Sequence, residues 1–191
     1  MIIYHYVFRY SFIMKTNITY LILAVITTIC ISCESHNQPE EQHGFVTYTL
    51  SYTNTIEQSG TPPKSSVPTY ERTAKAGQKK GQMTADNSTR LELKGWDGCT
   101  IKRVELQMHS NKSSGAGSLS LVIGNDTLWQ IDKQPFSDKS WAGEYSTDWL
   151  PITRSMNTIV KENECIEINI SATKNSLYIN SYTIYYDPLV V

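Results

Sequence analysis

Residues 119–131 read LSLVIGNDTLWQI, and this stretch decides the fold class. Leu119, Leu121 and Ile123 occupy every second position, which is the spacing of a strand that buries one face. The next three residues, Gly-Asn-Asp, are typical of a tight turn, and Thr127–Ile131 then provides a return strand. The stretch therefore predicts an antiparallel hairpin.

The register of this hairpin determines the direction of Trp129. A three-residue turn at Gly124–Asp126 pairs Trp129 with Leu121. A two-residue turn at positions 125 and 126 would instead place Trp129 beside Val122, on the opposite face of the sheet. The first register groups the apolar side chains better, so we predict that Trp129 belongs to the core.

Segments with the same two-residue period recur on both sides of the hairpin, and turn residues separate them. They cover Phe45–Thr53, Thr89–Lys94, Arg103–His109, Ser146–Thr153, Cys165–Ser171 and Leu177–Asp187. Loops or turns are predicted at Asn54–Pro68, Trp96–Gly98 and Asn111–Gly117. Outside an apolar run near the N-terminus, no window shows a sustained helical period. About eight or nine strands in residues 45–191 predict an all-β domain, an antiparallel β-sandwich of jelly-roll type.

The alternation also assigns side chains to the two faces of each strand. The predicted core side chains include Val46, Tyr48, Leu50, Tyr52, Val104, Leu106, Met108, Ile166, Ile168 and Ile170. His109 follows the opposite parity to Met108, so we expect it on the outer side of its strand.

Residues 1–32 are interpreted as a secretory signal peptide. After Lys15, the run Ile18–Ile31 is uncharged and too short to span a bilayer comfortably, but it has the length of a signal-peptide core. It closes with Ser32 and Cys33, which resemble the site where lipoprotein signal peptidase cuts before a cysteine that becomes lipidated. We therefore predict that Cys33 carries acyl chains such as palmitate, which hold the protein at a membrane.

One alternative for this segment remains open, a transmembrane anchor over residues 2–31, although two basic residues and an asparagine interrupt the apolar sequence. A separate question is where the chain starts, because residues 1–13 are rich in aromatic residues and unlike the start of a signal peptide. Either they form a long leading region or translation starts at Met14.

Residues 33–44 are predicted to be the lipidated cysteine and a disordered tether, because Glu34–Gly44 holds no apolar residue except Pro39. The glutamates of this tether resemble the acidic stretches behind the lipidated cysteine of surface-exported lipoproteins in anaerobic gut bacteria. The predicted location is therefore the cell envelope, lipid-anchored in the outer membrane, and whether the domain is exposed at the cell surface stays open.

Four stretches of the β domain carry recognisable motifs. They are GWDGCTIKRV (95–104), MHSNKSSGAGSLSL (108–121), WAGEYST (141–147) and INISATKNSLYINSYTI (168–184). Together they resemble an uncharacterised β-sandwich module of secreted proteins and lipoproteins from gut anaerobic Gram-negative bacteria. The resemblance covers residues 82–187. It implies a fold and a setting, and it implies no catalytic residue.

The charge balance bears on the partner. Removal of residues 1–32 takes away two of the 17 basic residues and none of the 18 acidic ones, which leaves a net charge of −3. Nucleic-acid binding needs a concentrated basic surface, so we expect no nucleic-acid partner.

The sequence contains no motif for nucleophilic, phosphate or metal chemistry. His36, His43 and His109 are scattered, so we predict no metal site and no cofactor. A glycosidase needs two carboxylates that face each other across a groove, and the sequence does not reveal such a pair. We therefore expect no catalytic residues and no enzymatic activity.

Aromatic residues in loops are the candidate ligand contacts. Trp96 precedes an Asp-Gly turn, and Trp141 and Tyr145 lie in a long connection. Exposed aromatic side chains of this kind stack against sugar rings in carbohydrate-binding modules. The alternative for each tryptophan is a structural place in the core.

Three functions are open for the domain. The first is a non-catalytic binding module, for glycans, and an exposed row of two aromatic side chains on one face would favour it. The second is a structural or assembly lipoprotein that docks onto another envelope protein, and a contiguous apolar patch would favour it. The third is a glycan hydrolase, which a cleft with paired carboxylates would favour.

Cys99 and Cys165 are the two thiols that remain in the processed chain. An oxidising periplasm favours a disulfide between them, which would close a loop of about 65 residues and stabilise the fold by roughly 4 kcal/mol. Against this, Cys165 has the opposite parity to the core residue Ile166. The two β-carbons would then lie on opposite faces, too far apart to bridge. Both states stay open.

Overall fold

The computed structural model describes residues 44–51, 55–73, 81–141 and 148–188. The chain divides into Met1–Gln42 and His43–Val191, and every described residue belongs to the second unit. Within the described ranges there is no helix, and hence no helix of the length and apolarity needed to cross a membrane.

Short strands account for most of the described part of the chain. They are β1 (Gly44–Leu50), β2 (Ile56–Gly60), β3 (Val67–Arg72), β4 (Gln82–Met83), β5 (Asn87–Lys94), β6 (Thr100–Ser110), β7 (Ala116–Ile123), β8 (Asp126–Pro135), β9 (Leu150–Ile159), β10 (Ile166–Lys174) and β11 (Leu177–Asp187). The chain is therefore all-β over the residues described.

The strands form two antiparallel sheets that pack face to face. Sheet A has the order β2-β1-β11-β6-β9, with β4 also paired to β11. Sheet B has the order β3-β5-β10-β7-β8. The eight strands β1-β11-β6-β9 and β5-β10-β7-β8 interleave as the two halves of a jelly roll do, so the predicted β-sandwich of jelly-roll type is confirmed.

The core fills the space between the sheets, and the two-residue period explains which side chains enter it. In β6, Val104, Leu106 and Met108 are buried while the residues between them are half-exposed. The predicted core residues of β1, β6 and β10 are buried as expected, apart from Tyr52, which lies outside the described residues. The faces of these strands were thus readable from the sequence.

The hairpin β7–β8 confirms the predicted pairing and corrects the predicted turn. Trp129 pairs with Leu121 and is buried. However, the turn holds two residues, Gly124 and Asn125, rather than three. The positive φ of 58° at Gly124 suits the first residue of such a turn. A bulge at Leu128 restores the register and so keeps Trp129 on the core face.

The predicted loop over Asn54–Pro68 is wrong in part: residues 61–66 lie outside any strand, but β2 and the first residues of β3 also fall within the range. β2 has the sequence IEQSG and pairs with β1 over Ile56–Gly60. It is an edge strand with almost no buried side chain, so backbone pairing holds it and no apolar period marks it in the sequence. For the same reason β9, an edge strand with alternately exposed residues, continues to Ile159, beyond the predicted end at Thr153.

Candidate functional site

The outer face of sheet A, defined as the side turned away from the core, is the candidate site. β11 runs through the middle of this sheet, and an extra residue at Asn180 shifts its register against β6. The bulge brings Tyr178 onto the same outer side as Thr183 and Tyr185. Aromatic side chains therefore stand at both ends of one strand face.

The first group of rings, the His109 cluster, consists of His109, Tyr178 and Trp149. The His109 and Tyr178 rings are stacked, with centroids 4.3 Å apart and an interplanar angle of 3°. Trp149 meets His109 edge-on at 4.5 Å and leaves 42% of its surface exposed. Asn111 Nδ2 donates a hydrogen bond to the Tyr178 hydroxyl at 3.3 Å, which fixes that ring. The cluster is a held aromatic surface with one open indole.

His109 is kept neutral within this cluster. Burial lowers the pKa of His109 below its ordinary value, and the charge of Asp148 only partly opposes the effect. The Nδ1 atom of His109 is buried and makes no hydrogen bond to any described residue. If the His109 ring moves slightly, its free Nδ1 can donate a hydrogen bond to a ligand or accept one from it, depending on which ring nitrogen carries the proton.

The second group, the Tyr185 cluster, consists of Tyr185, Phe45 and Arg103. The Arg103 guanidinium lies 3.8 Å from the Tyr185 ring centroid, a cation–π contact. Phe45 lies beside Tyr185 with ring centroids 6.1 Å apart, and half of its surface, 51%, is exposed. Arg103 Nε is buried without a hydrogen bond in the described structure. This cluster also combines an open ring with an unused polar atom.

Polar side chains occupy the strip between the two clusters. The Thr47 and Thr183 hydroxyls lie 2.9 Å apart across β1 and β11. Gln107 donates through Nε2 to Glu105 Oε1 at 3.0 Å on β6. At the usual rise per residue, the path from Tyr178 to Tyr185 along β11 is about 20 Å long. The face thus alternates aromatic, polar and aromatic surfaces over a distance that suits an extended ligand.

Trp96 does not contribute to this face, so its prediction as an accessible ligand contact is wrong. It is fully buried, and its Nε1 donates a hydrogen bond to Ser66 Oγ at 2.9 Å. Its ring packs edge-on against Tyr186 at 4.9 Å. The Asp-Gly turn that follows it is present, but the turn directs the indole into the core.

Trp141 is also structural rather than an open platform. Only 6% of its surface is exposed, and its ring packs against Phe136 at 5.6 Å. Its Nε1 donates to the Gln134 carbonyl at 3.3 Å. The other two residues of interest, Tyr145 and the predicted lipidation site Cys33, lie outside the described residues, so their roles stay predictions.

Cys99 and Cys165 are thiols in this structure, and no disulfide joins them. Cys99 is buried close to Tyr186 of β11, where its proximity adds to the burial that raises the pKa of the tyrosine. Cys165 is half-buried and close to Lys94 of β5. The two cysteines therefore neighbour different sheets, which agrees with the opposite-face alternative.

Trp149 is the contact that the sequence reasoning missed. It shares the parity of Pro151 and Thr153, which oppose the outward residues Gln107 and Glu105 of β6. That parity was available in the predicted strand Ser146–Thr153. His109 lies on the outer side, as predicted. The outward direction of its stacking partner Tyr178 results from the bulge at Asn180, and no local sequence pattern indicates that bulge.

Over the described ranges, no group of histidine, cysteine or carboxylate side chains is arranged to hold a metal ion. No family model and no curated protein matches the chain. Among solved structures, it is similar to the carbohydrate-binding module CBM36 in complex with calcium and xylotriose. The identity is 12%, the TM-score is 0.36, and the match covers 62% of this chain and 98% of that one. A likeness at this level assigns neither ligand nor family to the chain.

Proposed function

We propose that the domain is a non-catalytic module that binds a glycan chain along the outer face of sheet A. The observation that carries the proposal is the pair of aromatic clusters at the two ends of one sheet face, with hydrogen-bonding side chains between them. Sugar rings have apolar faces that stack on aromatic rings and hydroxyls that need polar partners. An open face of this length suits several linked sugar units better than one.

The unused polar atoms support the same proposal. His109 Nδ1 and Arg103 Nε are buried, and neither has a hydrogen bond to a described residue. A buried polar atom without a partner costs free energy, so such atoms concentrate where a ligand or an ordered water completes the site. Both atoms belong to the outer face of sheet A, one in each aromatic cluster, while elsewhere in the described structure Tyr70 and Ser140 carry further buried hydroxyls without a hydrogen bond.

The alternative functions receive less support from the described surface. Its large exposed apolar side chains are Phe45, Val67, Trp149 and Ile159, which lie on or beside three different strands rather than in one patch. For a hydrolase, Glu92 and Glu167 are brought together by Arg90. Their ion pairs and hydrogen bonds lower the pKa of both carboxyls, whereas a glycosidase needs one carboxyl with a raised pKa.

Substitution of Trp149 tests the proposed face. The full chain in detergent is screened on a glycan array, and the affinity for the best neutral oligosaccharide is measured by titration calorimetry. Trp149→Ala should weaken binding by about 1–3 kcal/mol, since it removes the most accessible ring of the His109 cluster. Val67→Ala, which removes an exposed apolar side chain from sheet B, is the matched control. Wild-type affinity in Trp149→Ala would refute the face as the site.

The setting of the module belongs to the same proposal. We infer a lipoprotein of the outer membrane of gut anaerobic bacteria, anchored through Cys33, because an uncharged run ends at Ser32 and a polar tether follows. Cys33→Ala should abolish labelling of the protein in cells fed a fatty-acid probe. Cys30→Ala is the control and should be labelled normally. Equal labelling of Cys33→Ala and wild type would contradict the anchor.

A further inference from the structure

A polar cleft opens at the side of the sandwich, between the edge strands β8 of sheet B and β9 of sheet A. Its volume is about 370 Å³, which lies within the range of small-ligand sites. Hydroxyl and amide groups form much of its wall, and they come from Thr127, Gln130, Ser140 and Thr153. We call this feature the edge cleft, and it is separate from the aromatic clusters of the outer face.

Two cations, Lys139 and Arg154, line the edge cleft, and no carboxylate of a described residue lines it. Asp138 lies outside the lining; its pKa is lowered chiefly by the hydrogen bond from the Ser140 backbone, and the charge of Lys139 is the smallest of the causes. Neither side chain forms a salt bridge with a described residue, whereas Arg90, Lys94 and Lys102 all do. Because the chain carries a formal net charge of −1, this positive site does not follow from a generally basic surface.

The walls of the edge cleft are fixed by local structure. Asp138 Oδ1 accepts a hydrogen bond from the Ser140 backbone N–H at 2.8 Å, and the Trp141 N–H donates to the Asp138 carbonyl at 3.0 Å. This turn holds Lys139 on one side of the cleft. Trp129 and Trp141 expose only a small part of their rings to the edge cleft, since both are more than nine-tenths buried. The cleft therefore combines ordered polar walls with a small apolar floor.

We infer that the edge cleft binds one acidic sugar unit, with its anionic group between Arg154 and Lys139. The planar guanidinium of Arg154 can bind two oxygens of a carboxylate or sulfate at once, and Lys139 adds a second charge. The hydroxyl and amide groups of the walls can bond the sugar hydroxyls. The site acts whether or not a glycan occupies the outer face of sheet A.

Nuclear magnetic resonance of the full chain in detergent tests this inference through the four indole N–H signals, assigned by single Trp→Phe variants. Methyl glucuronide and glucose 6-sulfate should each be tried, since the carboxylate and the sulfate are alternative sources of the same anionic chemistry. At least one should move the Trp129 and Trp141 signals while Trp149 stays in place. Arg154→Gln and Lys139→Gln should each weaken binding about tenfold or more.

Lys133→Gln is the matched control, because Lys133 is exposed on β8 outside the edge cleft and should leave affinity unchanged. The inference is overturned if neither acid moves the two signals, if methyl glucoside binds as well, or if sodium sulfate binds as tightly as the sugar acids. Unchanged affinity in Arg154→Gln would also overturn it. A shift of Trp149 alone would assign the ligand to the outer face instead, so the two sites are tested separately.

Discussion

The two outer faces of the sandwich are both formed by antiparallel strands, but their exposed side chains differ in chemistry. On sheet B, Arg90 binds Glu92 and Glu167 at once, and Lys94 lies 2.9 Å from Glu92. On sheet A, the corresponding surface carries aromatic rings, and Arg103 rests on a tyrosine ring instead of a carboxylate. An ion pair on this sheet, between Lys102 and Asp187, lies at the end of β11.

Under the proposed function, this difference separates a surface that stabilises the fold from one that binds a ligand. On sheet B, Glu167 also accepts from Asn169 Nδ2 at 2.6 Å, so the charged groups satisfy one another. On sheet A, His109 Nδ1 and Arg103 Nε are buried without hydrogen bonds to described residues. Buried polar atoms without a hydrogen bond carry a cost in free energy, and a ligand that binds beside the exposed rings can recover it.

The largest expected effect comes from removing both ends of the aromatic face. Trp149 and Phe45 belong to different clusters and share no ring contact, so their contributions to glycan binding should add. The double variant Trp149→Ala/Phe45→Ala should lose about 2–6 kcal/mol of binding free energy, and each single variant about half. Titration calorimetry checks this. Equal losses in the double variant and in Trp149→Ala would mean that only one end of the face is used.

A smaller effect, in stability rather than binding, is expected on sheet B. Arg90→Met leaves Glu92 and Glu167 side by side without their shared cation, so the free energy of unfolding should fall by about 1 kcal/mol. Urea unfolding at neutral pH measures it. Lys161→Met, which breaks an exposed pair with Glu164, is the control and should cost less. Loss of glycan affinity in Arg90→Met would contradict the division of roles between the faces.

The smallest effect concerns the pH dependence of stability, because the two faces titrate in different windows. Burial lowers the pKa of His109 from its ordinary 6.5, so the unfolded chain binds the proton more readily. The contribution of neutral His109 to the free energy of unfolding is therefore complete well above pH 6.5. It falls as the pH drops through 6.5 towards the lowered pKa of His109. The carboxyls of sheet B have pKa values below their ordinary 4.5, so their contribution is lost only in more acidic solution.

His109→Gln tests this separation by unfolding at pH 7.5 and 5.5. The wild type should be less stable at the lower pH by a fraction of 1 kcal/mol, and the variant should lose most of that difference. Val67→Ala, which changes no titratable group, is the control and should keep the difference. A wild-type stability that rises on acidification over this range would contradict the lowered pKa of His109.

A strand can be predicted from the sequence when side-chain burial determines its position, but not when backbone pairing alone holds it. The inner faces of β6, β7 and β10 follow the two-residue period because their side chains must enter the core. β2 is held by backbone bonds to β1 and only its first residue, Ile56, packs against the core, so its sequence contains no apolar period. Trp96 shows the same limit, since the turn was recognisable but the direction of the indole depends on distant Ser66 and Tyr186.

The site was less predictable than the fold because it is assembled across strands. His109 and Tyr178 lie 69 positions apart in the sequence and meet through the pairing of β6 with β11. That pairing is determined by the topology of the whole jelly roll, and the bulge at Asn180 determines which side chains of β11 face outward. Sequence alone could place His109 outside the core, but it could not supply the ring that stacks on it.

The position of β11 has a consequence for when this surface comes into being. Residues 44–49 pair with residues 181–186, so the first strand of the domain waits for the last one to complete sheet A. A chain that crosses a membrane from its N-terminus onward delivers β11 last, and pairing over such a sequence distance is slow to form. Until β11 arrives, β1 and β6 have no strand between them and neither aromatic cluster exists. If the protein is the lipoprotein proposed above, its candidate glycan surface is therefore completed only once β11 has crossed the membrane, and earlier in translocation the chain cannot bind a glycan there.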